Sequence, residues 1–172
     1  MTPAPGELIE AAKWEHIGSV LALLQQGADP NEKNKWGDTA LIWAATNGHT
    51  DIANLLIDAG ANIDEKGYEG NTALMQAARR GHKKAVHLLI NKRANIDIRN
   101  NDGDTASTQA AQAGYTEIAQ ILKDITAGKA KAAAAAKAAE EARIKYVTDP
   151  ALHRNMPVPK PLRFKPASGK KL

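Results

Sequence analysis

Apolar residues recur along this chain in two alternating stripes, and both stripes return every 33 residues. Leu41, Ala44 and Ala45 fall at i, i+3 and i+4, the spacing of one helix face, and Leu74, Ala77 and Ala78 repeat it one period later. A second stripe follows after a break: Ile52, Leu55 and Leu56, then Ala85, Leu88 and Leu89, then Ile118, Ile121 and Leu122. The breaks are as periodic as the stripes. Gly37, Gly70 and Gly103 sit in polar stretches where a tight turn needs positive φ. Thr39, Thr72 and Thr105 come two residues later, placed to cap a first helix through their hydroxyls. Gly48, Gly81 and Gly114 predict the end of that helix, and the unit closes on Gly60-Ala61-Asn62, or Gly27-Ala28-Asp29 in the first copy. A turn and two short helices cannot bury two apolar stripes alone, so such units must stack.

Four units fit this frame without a gap, at about 1–33, 34–66, 67–99 and 100–127. The ends differ from the middle. The first unit lacks the turn and the threonine, and the fourth carries Ser107 and Thr108 where inner units are apolar, as expected of capping units that face solvent.

The repeated threonine, Leu41, Ala44-Ala45, Gly48-His49, Leu55-Leu56 and Gly60-Ala61 resemble the 33-residue ankyrin repeat, whose consensus holds Thr-Pro-Leu-His-x-Ala-Ala, Gly-His, Leu-Leu and Gly-Ala. The resemblance covers about residues 7–127. It departs from the family where Ala40, Ala73 and Ala106 replace the proline, and where Ile42, Met75 and Thr108 replace the histidine, removing the Thr–His bonding of the family. Arg93 and Glu15 each stand where a glycine is expected. The resemblance implies an all-α repeat solenoid of helix–turn–helix units joined by β-turn or hairpin-like loops. It further implies a partner-binding groove lined by the first helices and the turn tips.

Carried onto this chain, the first-helix positions are Glu10, Lys13 and Trp14; Trp43, Thr46 and Asn47; Gln76, Arg79 and Arg80; Gln109, Gln112 and Ala113. The tip positions are Lys35, Trp36 and Asp38; Tyr68, Glu69 and Asn71; Asn101, Asp102 and Asp104. All three tryptophans thus fall on the expected contact surface, beside Tyr68, Arg79 and Arg80, and these residue types carry most binding energy at protein interfaces. The competing reading tucks Trp14 and Trp43 between units as core and pairs the two arginines with acidic neighbours.

Composition changes little. The chain of 172 residues is 43% hydrophobic and only 4% aromatic, with no cysteine, which removes disulfides and cysteine–zinc sites. No run of about 18 apolar residues is present, and no basic-then-apolar leader opens the chain. A cytoplasmic protein is expected, or a periplasmic or secreted one if a leader has been removed.

Charge divides the chain in two. Residues 1–127 hold 12 Lys/Arg against 16 Asp/Glu, and residues 128–172 hold 11 against 3. Segment 128–147 is rich in Ala, Lys and Glu and predicts a helix near 129–146, either solvated or laid on the last unit. Segment 148–172 is Pro-, Lys- and Arg-rich and reads as an extended tail, with a Pro-Val-Pro-Lys-Pro stretch suited to polyproline II.

An enzyme reading finds no glycine-rich phosphate loop, no nucleophile elbow and no His-Glu-x-x-His. His16, His49 and His82 share one repeat position, which argues a structural role, and His87 and His153 lack ligand partners at metal spacing. The run ending at Asp104 mimics a calcium loop, but its first ligand position falls on Ile98. No metal, cofactor or small-molecule substrate is therefore expected. The expected function is a non-enzymatic scaffold, monomeric when unbound, that grips a folded protein as an inhibitor, immunity-type or regulatory partner of an enzyme. The alternative is attachment to nucleic acid or an anionic membrane through the six tail cations Arg154, Lys160, Arg163, Lys165, Lys170 and Lys171.

Overall fold

The computed structural model describes the backbone of residues 3–148 and the side chains of 3–141; the expectations for His153 and for the tail beyond 148 lie outside the described residues. The chain divides into two units, 1–129 and 130–172. The first holds four helix pairs: α1 (Glu7–Lys13) with α2 (Ile17–Gln25), α3 (Ala40–Asn47) with α4 (Thr50–Asp58), α5 (Ala73–Arg80) with α6 (Lys83–Asn91), and α7 (Ala106–Gln112) with the start of α8 (Thr116–Thr148). No strand occurs among the described residues.

The periodic residues perform the local tasks their chemistry allows. Thr39 Oγ1 accepts the Ile42 N–H and Thr72 Oγ1 that of Met75, both at 3.4 Å, and Thr105 Oγ1 that of Thr108 at 3.3 Å. Each cap satisfies one orphan amide of a helix start and is worth about 1 kcal/mol. The turn tips are pinched twice by the backbone. The Gly37 N–H donates to the Asn34 carbonyl at 2.9 Å and the Asn34 N–H to the Asp38 carbonyl at 3.0 Å, a hairpin-like closure repeated at Gly67–Asn71 and Asn100–Asp104.

Stacking buries what the single unit cannot. The first helices pack in a row, α3 between α1 and α5, and α5 between α3 and α7, while α2, α4 and α6 stack beside them. Ala12, Ala44, Ala45, Ala77, Ala78 and Ala110 have no exposed surface. Leu8, Leu41, Leu74, Ile52, Leu56, Leu89 and Leu122 complete the same core, each such side chain contributing about 2 kcal/mol by leaving water. The end units are polar where the inner ones are apolar. Glu7 and Ser19 stand at the register of buried Ala40 and Ile52, and exposed Thr108 at that of buried Ile42 and Met75.

Histidines tie unit to unit. His49 Nε2 lies 3.2 Å from the Lys13 carbonyl and His82 Nε2 lies 2.9 Å from the Thr46 carbonyl. A carbonyl only accepts, so each ring carries its proton on Nε2 and caps the last turn of the preceding first helix. Gly48 makes room for this: a Cβ there would lie 2.7 Å from the His82 ring, and φ of 76° already favours glycine. Exposed ion pairs add a second layer, Lys33–Glu65 at 2.5 Å, Lys92–Asp58 at 2.6 Å and Lys83–Glu117. The Lys33 hydrogen bond holds the Glu65 carboxyl below its usual range, as Lys83 does that of Glu117. Such exposed pairs contribute little to stability.

The helix expected over 128–147 does not start afresh. Residues 116–148 form one helix, α8, and Gly128 lies inside it. A glycine costs about 1 kcal/mol in a helix interior, and Ala- and Lys-rich sequence beyond it favours propagation over a break. In the second unit, residues 130–148 are helical, with Lys137 3.9 Å from Glu141 one turn on.

Two departures from the repeat pattern leave a mark on the backbone. Glu15 has φ of 59° and Arg93 φ of 68°, left-handed values at positions where Gly48, Gly81 and Gly114, or Gly27 and Gly60, stand in the other units. A side chain there costs about 1–2 kcal/mol, and glycine returns part of that gain through its greater freedom when unfolded. Glu15→Gly and Arg93→Gly are each expected to raise stability by about 0.5–1 kcal/mol, read from urea unfolding with an unchanged slope. Loss of stability in both variants would show that the side chains compensate elsewhere.

Amide groups are buried where the last two turn tips meet. Asn71 Oδ1 accepts from Gln109 Nε2 at 2.8 Å and from Asn100 Nδ2 at 3.2 Å, while its own amide donates to the Tyr68 carbonyl at 3.1 Å. Asn71→Ala strands two buried donors and is expected to cost about 2–3 kcal/mol. A shift of the urea midpoint worth less than about 0.5 kcal/mol would mean that water replaces the lost acceptor.

Candidate functional site

In the second to fourth units each first helix starts directly after a turn tip, at the caps Thr39, Thr72 and Thr105, and in the fourth Gln112 reaches back to the tip residue Asp104 at 3.2 Å. Alanine packing on the opposite face of each helix fixes which positions are left over. Trp14, at the C-terminal end of α1, is 62% exposed, and Trp36 and Tyr68, at successive turn tips, are 54% exposed each. Glu69, Asn101 and Asp102 are exposed at the tips, and Asn47, Arg79, Arg80 and Gln112 on the first helices. Large aromatic surface in water on a stacked domain marks a place where something else can pack.

Cations accompany the indoles. The Lys35 ammonium lies 4.3 Å from the centroid of the Trp36 ring. Lys13 lies between two rings, 5.1 Å from the Trp14 centroid and 5.0 Å from that of Trp43. Glu10 completes the group: one carboxylate oxygen is 3.7 Å from Lys13 Nζ, and the other accepts the Trp14 indole N–H at 3.0 Å. Spacing on α1 brought Glu10, Lys13 and Trp14 to one face, but their closure onto Trp43 of the next unit has no signal in a single repeat.

Trp43 takes a position between the two sequence readings. It is half-buried, packs against the core, and its indole N–H is buried with no partner among the described residues. Thr46 is also half-buried, donating its hydroxyl to the Ile42 carbonyl at 2.7 Å, and Asn47 donates to the Lys13 carbonyl at 3.0 Å. Arg79 is held by the Gln76 carboxamide oxygen at 2.9 Å, and Gln112 donates to Asp104 at 3.2 Å.

Four positions read as outward polar residues are instead buried. Asp38 is 8% exposed, and its carboxylate accepts the Tyr68 N–H at 2.8 Å, so it braces one turn tip against the next rather than meeting solvent. Gly67 is glycine for that reason, since a Cβ would lie 2.3 Å from Asp38 Oδ1. Asn71 and Gln109 are buried in the amide network, and Gln76 beneath Arg79. Their partners lie in a neighbouring unit or one turn away, which offsets the loss of water, although the Gln109 amide oxygen is buried with no partner among the described residues.

The first unit has exposed apolar surface that was not anticipated. Ile17 and Leu21 on α2 are exposed, where the later units carry Thr50 and Asn54, or Lys83 and His87. Elsewhere on the same unit an open cavity of about 510 Å³ is lined by Glu7, Ala11, Trp14, Ser19 and Leu23. Comparing the four units position by position would have singled out this substitution of apolar for polar.

A family model described as "Ankyrin repeats (3 copies)" matches the chain over residues 8–100, 59–132 and 76–147. The model describes three copies, whereas four helix pairs stand in the structure. No curated protein matches the chain. With the family model covering most of its length, the chain belongs to the ankyrin-repeat family, whose repeats generally mediate protein–protein interaction and typically perform no catalysis.

Proposed function

We propose that this protein is a binding scaffold that grips one folded partner through the surface shared by its first helices and turn tips, acting as an inhibitor or regulatory partner of an enzyme. The observation that carries the reading is the exposure of Trp14, Trp36 and Tyr68 on successive units along that surface, with Arg79 and Arg80 beyond them. Trp and Tyr supply large contact area at small entropic cost, and with Arg they dominate interface hot spots. The surface also has a chemical direction. Its N-terminal half is aromatic with lysines over the rings, and its third unit presents a pair of guanidinium groups. A partner that complements it places an apolar, ring-accepting patch opposite Trp36 and Tyr68, and carboxylates opposite Arg79 and Arg80.

Affinity capture from native lysate, identification by mass spectrometry and calorimetry with the purified partner test this directly. Trp36→Ala combined with Tyr68→Ala is expected to weaken binding by roughly 30-fold or more, whereas Asp51→Ala on α4 leaves it within about twofold. These tip residues are exposed, so the fold survives their removal. Equal affinity for the parent and the double variant would defeat the assignment of the surface. Repeating the titration with a chain ending at residue 147 separates the other reading: loss of binding together with a steep salt dependence would move the contact to the basic tail.

A further inference from the structure

Lys13 Nζ occupies a position that has the chemistry of a cation-binding site in its own right. Two indole faces flank it at 5.0 and 5.1 Å, inside the roughly 6 Å over which a ring quadrupole attracts an ammonium. A carboxylate stands on a third side, with Glu10 Oε1 at 3.7 Å. That carboxylate is itself oriented, because its other oxygen holds the Trp14 indole N–H at 3.0 Å. Trp43 is fixed by packing against the core, while Trp14 is mostly exposed, so the site has one rigid wall and one accessible wall. By contrast, Lys35 at the neighbouring tip meets a single ring.

We propose that Glu10, Trp14 and Trp43 form a recognition site for an alkylammonium group, supplied by a lysine or methylated lysine side chain of the partner, and that Lys13 fills this site until the partner's cation displaces it. The proposal rests on the reading of the first-helix surface as the docking face. An alkylammonium fits better than a guanidinium. Arginine prefers two free carboxylate oxygens in its plane, and here one oxygen of Glu10 is engaged by Trp14. A methylated ammonium has few or no N–H donors to satisfy, so ring faces and one carboxylate oxygen meet its needs. Displacing Lys13 costs little elsewhere, since the bonds from Asn47 and His49 go to its backbone carbonyl and survive loss of the side chain.

The chain has three tryptophans and so three indole N–H signals in a proton–nitrogen NMR spectrum, which makes a titration of the full chain self-controlled. The probes are tetramethylammonium and N-acetyl-trimethyllysine amide, with N-acetyl-lysine amide and 3,3-dimethylbutanol, the uncharged carbon analogue of choline, beside them. The two quaternary probes are expected to shift the Trp14 and Trp43 signals and leave Trp36 in place. Lys13→Ala is expected to tighten that binding about tenfold, and Glu10→Gln to weaken it severalfold. A stronger response to N-acetyl-lysine amide than to its trimethylated form would assign the site to unmodified lysine within the same chemistry. Equal affinity in the parent and Lys13→Ala overturns the proposal, as does equal binding of the uncharged analogue or an equal shift at Trp36. Lys13→Gln repeats the measurement should the alanine variant lose its helical circular dichroism. No partner enters this titration, so its failure and a failure of the docking-face assignment are read separately.

Discussion

Neighbouring first helices meet through alanine. Ala44 and Ala45, Ala77 and Ala78, with Ala12 and Ala110 at either side, have no exposed surface, because the helices approach until only a methyl group fits between them. A two-helix unit of this size has no interior of its own, and its stability exists only as contact with the next unit. The close approach also brings backbone within reach of backbone. Only at that distance can a histidine of one unit cap the helix carbonyl of the one before, and only there does Asp38 reach the amide of Tyr68.

The same constraint creates the surface available for recognition. A helix of seven or eight residues that commits one face to small side chains has few positions left, and those positions recur in register along the stack. Large residues excluded from the alanine seam collect there. Trp14, Trp43 and Arg79 reflect the packing rule as much as any partner, because bulk at the alanine positions would force the units apart. Variation at the exposed leftover positions, Trp14, Arg79 and Arg80 among them, therefore leaves the alanine seam intact.

The period, the caps, the glycine stops and the polar ends were legible because each is a property of one residue and its position within 33. Burial of polar groups was not. Asp38, Asn71, Gln76 and Gln109 sit where pattern alone reads outward, and what draws the first, second and fourth of them inward is a donor or acceptor on an adjacent unit. That information is carried by pairs of residues about 30 to 38 apart, which no helical wheel displays. Trp43 shows the same limit from the apolar side. Its face was evident from spacing, but its depth depends on how far the preceding helix and Lys13 extend over it. Gly128 marks a different failure, a residue read as a boundary whose neighbours are such strong helix formers that α8 runs through it.

Glu69 shows how the turn tips are held. It has φ of 57°, whereas its counterparts Trp36 and Asp102 are not among the left-handed residues. The middle tip is the one tied from both sides: the Tyr68 N–H donates to Asp38 of the unit before, and the Glu69 carbonyl accepts from the Asn101 N–H of the unit after at 3.0 Å. Satisfying both neighbours turns the peptide between Tyr68 and Gly70 into a strained 3₁₀ turn, a cost of about 1–3 kcal/mol that two inter-unit hydrogen bonds offset. Fixing the tips in this way sets the spacing of Trp36, Tyr68 and Asn101. Strain at Glu69 is therefore the cost of holding neighbouring tips in register, while the Glu69 side chain itself stays exposed.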